Sequence, residues 1–239
     1  MSKWISEQTN GVLKPDVSFQ GNQLLTLLNT IYFKDEWMDR FERRQTKPDA
    51  FYVSAQQTVQ CDYMNRTYAM HPYTRGEGFT RSALSLKNGG RMVFILPDQG
   101  VSVDTLLASP QKAASLFLGV DQGTGKVVFQ IPKFSFGSKL NLKKTLHAMG
   151  VRCAFESDQA DFSGMTQDQA FFSQILQETH IAIDEKGVEA AAFTKLDYAG
   201  TAAPNEKEAY MILNRPFLYG IVSDGVLLFA GVCNQPAES

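Results

Sequence analysis

The stretch from 195 to 209 restricts the folds open to this chain more than any other. It holds only two large apolar side chains, Leu196 and Tyr198, yet strongly apolar runs stand on either side, at 171–183 and 210–213. A core strand this poor in large side chains would bury too little surface to offset its ordering entropy. The stretch therefore reads as a long exposed loop, about 185–209, held between two sheet strands. Loops of this length with no structure of their own are usually functional or disordered. The loop begins with Glu185-Lys-Gly-Val-Glu-Ala-Ala-Ala-Phe-Thr194. Gly187 supplies a hinge, and the small side chains of Ala190, Ala191 and Ala192 leave a backbone that can still pair as a strand.

The rest of the chain reads as a mixture of strands and a few helices. Residues 1–10 resemble the tail of a helix stopped by Asn10-Gly11. Residues 23–33 are almost continuously apolar, the pattern of a strand covered on both faces. Asn88-Gly89-Gly90 separates two strand-like arms, and Ser223-Asp224-Gly225 separates two more, so both read as hairpins. Ser102 can cap a short helix and Pro110 can open a second. Residues 127–136 are strand again, with Pro132 marking an edge or a break. Leu142, Leu146 and Met149 fall at helical spacing before Gly150.

Composition excludes several classes of function. With 239 residues, 44% hydrophobic and 20% charged, the chain is ordinary globular material. Its net charge of -2 makes no case for nucleic acid or an anionic membrane. No run is long enough to span a bilayer, and the first eleven residues lack the pattern of a signal peptide. Cys61, Cys153 and Cys233 are odd in number and far apart, which suits buried or semi-buried thiols rather than a metal site or a disulfide framework. His71, His147 and His180 have no partners at metal-ligand spacing. The run from Gly119 to Lys126 superficially resembles a phosphate loop, but its spacing is one residue too long and Val127 stands where a Ser or Thr is needed. It reads as a turn between a helix and a strand. No nucleophile elbow is present, so the chain is expected to be no enzyme and to need no metal or cofactor.

Four ordered segments carry a resemblance. Asp-Glu-Lys-Gly-Val-Glu-Ala-Ala-Ala at 184–192 resembles the reactive-loop hinge of serpins, the suicide inhibitors of serine and cysteine proteases. Asn29, Phe33, Lys34 and Trp37 resemble the end of a serpin central-sheet strand. Ile131-Pro-Lys-Phe134 through Asp161-Phe-Ser-Gly164 follows the family's order and spacing. Asn214-Arg-Pro-Phe217 to Asn234-Gln-Pro236 resembles its C-terminal signature. The resemblance implies an α+β fold: multi-stranded β-sheets, a few helices and a long exposed reactive loop, in one serpin domain over 1–239. It also implies that several helices and two central-sheet strands of a complete serpin precede this portion. An N-terminal fragment is then an expected partner, without which the apolar edge of 23–33 is expected to aggregate or pair with another chain.

The function implied is inhibition of a serine protease, with cysteine proteases as the other target class, at an extracellular or cell-surface location. A non-inhibitory binding or structural serpin, or an inactive fragment, is the alternative. The cleaved bond is placed at Thr201-Ala202 by the family's spacing from the hinge glycine. Counting back from the C-terminal signature places it about four residues later. Small residues at Gly200-Thr-Ala-Ala203 suit an elastase-like protease. Glu185, Gly187, Val188, Glu189, Ala190, Ala191 and Ala192 make up the hinge. Asn29, Trp37 and Gln177 are matched to positions that control sheet opening, with Trp37 equally at home as a core anchor. Three departures stand out: Val188 replaces the usual Thr or Ser, Phe193 replaces a small residue, and Gln177 replaces a His. Gln177 is expected to donate a hydrogen bond to Asn29 in its place.

Overall fold

The computed structural model describes residues 2–9, 11–13, 25, 27–188 and 208–236. Helix α1 (Ser2–Gln8) opens the chain, followed by β1 (Leu27–Tyr32), β2 (Asp35–Glu36), β3 (Lys47–Tyr52), β4 (Thr58–Gly76), β5 (Phe79–Ser85) and β6 (Arg91–Pro97). Helices α2 (Val103–Leu106) and α3 (Pro110–Leu118) come next, then β7 (Gly123–Pro132), β8 (Phe134–Asn141) and α4 (Lys143–Ala148). The chain ends in β9 (Ile175–Ile183), β10 (Gly187–Val188), β11 (Glu208–Ile212), β12 (Phe217–Ser223) and β13 (Val226–Cys233). It divides into two compact units, 1–33 with 136–181 and 34–135 with 182–239.

In the first unit, β1 lies parallel to β9, in register from Leu27↔Ile175 to Tyr32↔His180. Strand β1 is shorter than the apolar run around it. It is not covered on both faces as expected: none of its residues is fully buried, and Leu27 is 46% exposed. Strand β9 is its one strand neighbour among the described residues. Glycine ends the local helices as expected, with Gly11 after α1 and Gly150 after α4 both at positive φ. The sulfur expectation needs one correction. Cys153 is exposed, whereas Cys61 is half-buried and Cys233 buried.

The second unit is built on a sheet in the order β11-β7-β4-β5-β6-β12-β13, with β3 alongside β4, among the described residues. Strands β6 and β12 read as apolar runs because both their faces are covered. Helices α2 and α3 place Leu106, Leu116 and Phe117 against Val93, Ile95, Leu218 and Val222 on one face. Ser102 and Ser109 cap these helices by accepting from Thr105 and Lys112 amides. Outside that cluster Phe217 meets Phe51, Phe94 and Phe134 at centroid distances of 6.5, 6.3 and 6.2 Å. Each such ring is worth roughly 1.5–3 kcal/mol of burial. The hairpin turns fall where glycine and Asp permit them: Gly89 between β5 and β6, Asp224 and Gly225 between β12 and β13, all at positive φ. Pro132 ends β7, and β8 begins at Phe134 after one intervening residue, Lys133.

Candidate functional site

The root of the long loop is a built corner in the second unit. Asp184 closes a turn after β9, its Oδ1 accepting from the Lys186 and Gly187 amides at 2.8 and 3.2 Å. Its own amide donates to the Gly187 carbonyl at 3.0 Å. Trp37, fully buried, braces this turn from two sides. Its indole Nε1 donates to the Asp184 carbonyl at 2.8 Å and its amide to the Lys186 carbonyl at 3.0 Å. Its ring meets Phe41 edge-on at 6.0 Å. Trp37 is therefore both a core anchor and a structural element of the loop root.

Glu185 sits in this corner only 5% exposed. Such a carboxylate needs partners. Thr46 Oγ1 donates to its Oε1 at 2.8 Å, Lys133 Nζ lies 3.4 Å from Oε2, and the Phe41 amide donates to its carbonyl at 2.9 Å. Burial pushes the Glu185 carboxyl up, but its own backbone amide, the Thr46 hydroxyl and Lys133 outweigh that and hold it below its ordinary value. Lys133 belongs to the Ile-Pro-Lys-Phe motif and was within reach of sequence reading. Thr46 carried no signal there.

Past the turn, Gly187 and Val188 pair as β10. Gly187 stands opposite Glu36 and Val188 opposite Asp35 of β2, while Val188 also pairs with Ile183 of β9. Gly187 has φ +154, and a Cβ there would lie 2.5 Å from the Asp35 carbonyl oxygen and the Glu36 Cα. Only glycine fits this approach. Val188 is 1% exposed, its side chain packed inward. Strand β2 is itself tied down. Asp35 Oδ1 accepts from the Asn88 side-chain amide at 3.0 Å, and Glu36 holds both Arg40, at 2.6 Å, and Lys87. The hydrogen bond from Lys87 keeps the Glu36 carboxyl below its ordinary range.

Glu189, Ala190, Ala191, Ala192, Thr201 and Ala202 lie outside the described residues, as does the whole of 189–207. The chain is described again from Glu208, inside β11 and two residues earlier than the apolar pattern indicated. Glu208 Oε1 pairs with Lys126 Nζ at 2.8 Å.

In the first unit, Asn29 and Gln177 are directly opposite in the β1–β9 register. They are joined by a hydrogen bond of 3.4 Å in an exposed setting. Its direction is the reverse of that expected: Asn29 Nδ2 donates and Gln177 Oε1 accepts. Of the three residues matched to sheet-opening control, Asn29 and Gln177 are therefore brought together, and Trp37 is engaged with the loop root. Among the described residues no group of three His, Cys, Asp or Glu side chains is placed to hold a metal, and no helix is long and apolar enough to cross a membrane.

Comparison with known families matches residues 1–236 to Serpin (serine protease inhibitor). The chain belongs to the serpin family. Serpin B13 of Homo sapiens is 28% identical over 241 residues, covering 96% of this chain and 61% of that protein. The alpha-1-antitrypsin homolog of Cyprinus carpio is 31% identical over 243 residues, covering 100% and 64%. Among solved structures, Serpin48 of the insect Tenebrio molitor matches at 27% identity with a TM-score of 0.84, over 99% of this chain and 64% of that one. Human thyroxine-binding globulin in complex with its ligand matches at 25% and 0.84, over 99% and 63%. This serpin chain thus spans about three fifths of the length of these relatives. The α+β expectation, multi-stranded sheets with few helices, agrees with the architecture of these neighbours.

Proposed function

We propose that the chain carries the inhibitory machinery of a suicide inhibitor of serine proteases, acting through a reactive loop over about 185–209. The observation that carries this reading is the loop root: Gly187 and Val188 already paired as a strand, on a turn braced by Trp37 and Glu185. A strand begun there extends by adding residues 189 onward, the mode of loop insertion documented in this family. In this reading the protease nucleophile attacks the Thr201 carbonyl, forms an acyl-enzyme with Thr201, and releases Ala202 as a new amino terminus. The freed arm then inserts between β1 and β9, which are parallel neighbours before cleavage. About a dozen inserted residues, at roughly 0.5–1.5 kcal/mol per hydrogen bond, would supply on the order of 10 kcal/mol.

Side chains of an inserted strand alternate faces. Starting from the buried Val188, the inward set is Ala190, Ala192 and Thr194, all small and uncharged. The outward set, Glu189, Ala191, Phe193 and Lys195, holds both charges and the bulky ring. Val188 is compact and β-favouring, so its departure from Thr or Ser is compatible with insertion. Small residues around Thr201 favour an elastase-like protease. Mixed with such a protease, the serpin in its full natural length is expected to give an SDS-resistant complex and a released peptide beginning at Ala202. A peptide beginning at Asn205 or later would overturn the hinge count. Cleavage without a stable complex would favour the second reading, a non-inhibitory binding serpin. That alternative rests on Gln177 in place of the family's usual His, together with the likeness to thyroxine-binding globulin.

A further inference from the structure

Where β3 peels away from β4, the second unit holds a polar cleft of about 320 Å³ lined by Arg40, Glu42, Gln45, Asn65, Arg66 and Thr67. Strand β3 pairs with β4 only as far as Lys47↔Tyr63, so on the edge away from β7 Asn65 to Thr67 face the 40–45 segment instead of a strand. Side chains bridge the gap. Asn65 Nδ2 donates to the Gln45 carbonyl at 2.9 Å, and Arg66 Nη1 donates to the Arg40 carbonyl at 2.6 Å. The cleft is therefore a fixed feature of the chain path.

Its chemistry is cationic with unused donors. Arg40 spends Nη2 on Glu36, but its Nε is buried and donates to nothing among the described residues. A buried guanidinium donor without an acceptor is costly. Arg66 lies over the Tyr68 ring at 5.1 Å, and Nη1 is the one nitrogen of its guanidinium that donates to an acceptor among the described residues. The carboxylates nearby are already engaged, Glu36 by Arg40 and Lys87, Glu42 by Arg44 at 2.6 Å. Arg40, Arg44, Arg66 and Lys87 thus stand against three carboxylates, Glu36, Glu42 and Asp39, the last hydrogen-bonded to Tyr68. Two guanidinium forks with free N–H groups recognise oxyanions. A volume near the lower end for ligand pockets suits a small molecule rather than a polymer.

We propose that this cleft is a binding site for a small, doubly charged oxyanion, held between the guanidinium groups of Arg40 and Arg66. The site is independent of protease trapping. Arg40 also contacts Glu36, which pairs across β2 with Gly187, so an occupant would touch the residue that steadies the loop root.

Inorganic sulfate is the probe, titrated into isotopically labelled full chain at low ionic strength and followed by amide NMR shifts. The expected result is saturable one-site binding, with a Kd of about a millimolar or tighter and shifts centred on 40–45 and 65–67. Arg66→Gln should weaken it at least about tenfold, and the exposed Arg152→Gln should leave it unchanged. Thr67→Trp removes no charge and plugs the cleft, so it should abolish binding even if Arg66→Gln disturbs the fold. Binding that never saturates, that chloride reproduces at equal ionic strength, or that survives Thr67→Trp would overturn the proposal.

Discussion

The loop root and the β1–β9 pair are held by different physics. At the root, Glu185 is nearly fully buried and its carboxylate takes a hydroxyl and an ammonium group at 2.8 and 3.4 Å. Trp37, with no exposed surface, adds two hydrogen bonds to the same turn. Between β1 and β9 the matching polar tie is a single amide–amide bond of 3.4 Å in an exposed setting. Water competes far more for the second than for the first, so the same kind of contact has a different worth in each place. The root is a buried turn fixed by several hydrogen bonds. Between β1 and β9 six paired backbone positions stand beside that one side-chain tie.

The sharpest way to break this comparison is to charge the root. Val188→Arg would bury a guanidinium where the native side chain is 1% exposed and β10 is paired on both edges. An unpaired buried charge costs several kcal/mol. At about 3 °C per kcal/mol, the melting temperature should drop by roughly 10 °C. Protease trapping should turn into plain cleavage, while Glu189→Arg should leave trapping nearly intact. Equal effects from the two substitutions, read as the ratio of complex to cleaved product on a gel, would show that the alternation of faces is misassigned.

A smaller effect is expected at Glu185. Glu185→Lys removes the acceptor of Thr46 and sets a second cation beside Lys133, at an expected cost of about 2–3 kcal/mol given that Lys133 is partly exposed. The pH dependence has a definite sign. The folded-state carboxyl titrates below its ordinary value of 4.5. Its contribution to stability is therefore fully present above that pH, and is lost as the pH falls through the lower folded-state value. Denaturant midpoints measured from pH 6 downward should fall less for Glu185→Gln than for the unaltered chain. Parallel curves would remove Glu185 from the list of acid-sensitive contacts.

What the sequence made legible follows the range of the interactions. The turns at Gly89 and Asp224-Gly225, the helix stops at Gly11 and Gly150, and the positive φ of Gly187 were readable because each depends on a local φ that few residues adopt. The cap at Ser102 and the opening of α3 at Pro110 were equally local. Strand β4 was not readable. It runs through Pro72, bulges between Tyr68 and His71, and its burial does not alternate. The site divides along the same line. Gly187 announces itself, but Thr46 meets Glu185 across 139 residues of chain, and nothing in the identity of a threonine signals that contact. Cys153 was misjudged because a free thiol is most often buried, while here it lies on an exposed single turn after α4.

The smallest expected effect tests the other half of the comparison. Asn29↔Gln177 is the third of six paired positions between β1 and β9, so rungs remain on both sides of it when a side chain is cut away. An exposed bond at 3.4 Å is worth no more than about 0.5 kcal/mol. Gln177→Ala should accordingly leave stability within that margin and speed complex formation with the protease by no more than about twofold, since tenfold corresponds to 1.4 kcal/mol. Stopped-flow mixing with a fluorescent protease substrate gives the rate, and chemical denaturation gives the stability. A loss of stability above about 1 kcal/mol, or a rate change near tenfold, would make the Asn29–Gln177 tie a lock in its own right. The root would then have to share its role with the strand pair, and the contrast between buried and exposed polar contacts would not explain how this sheet stays closed.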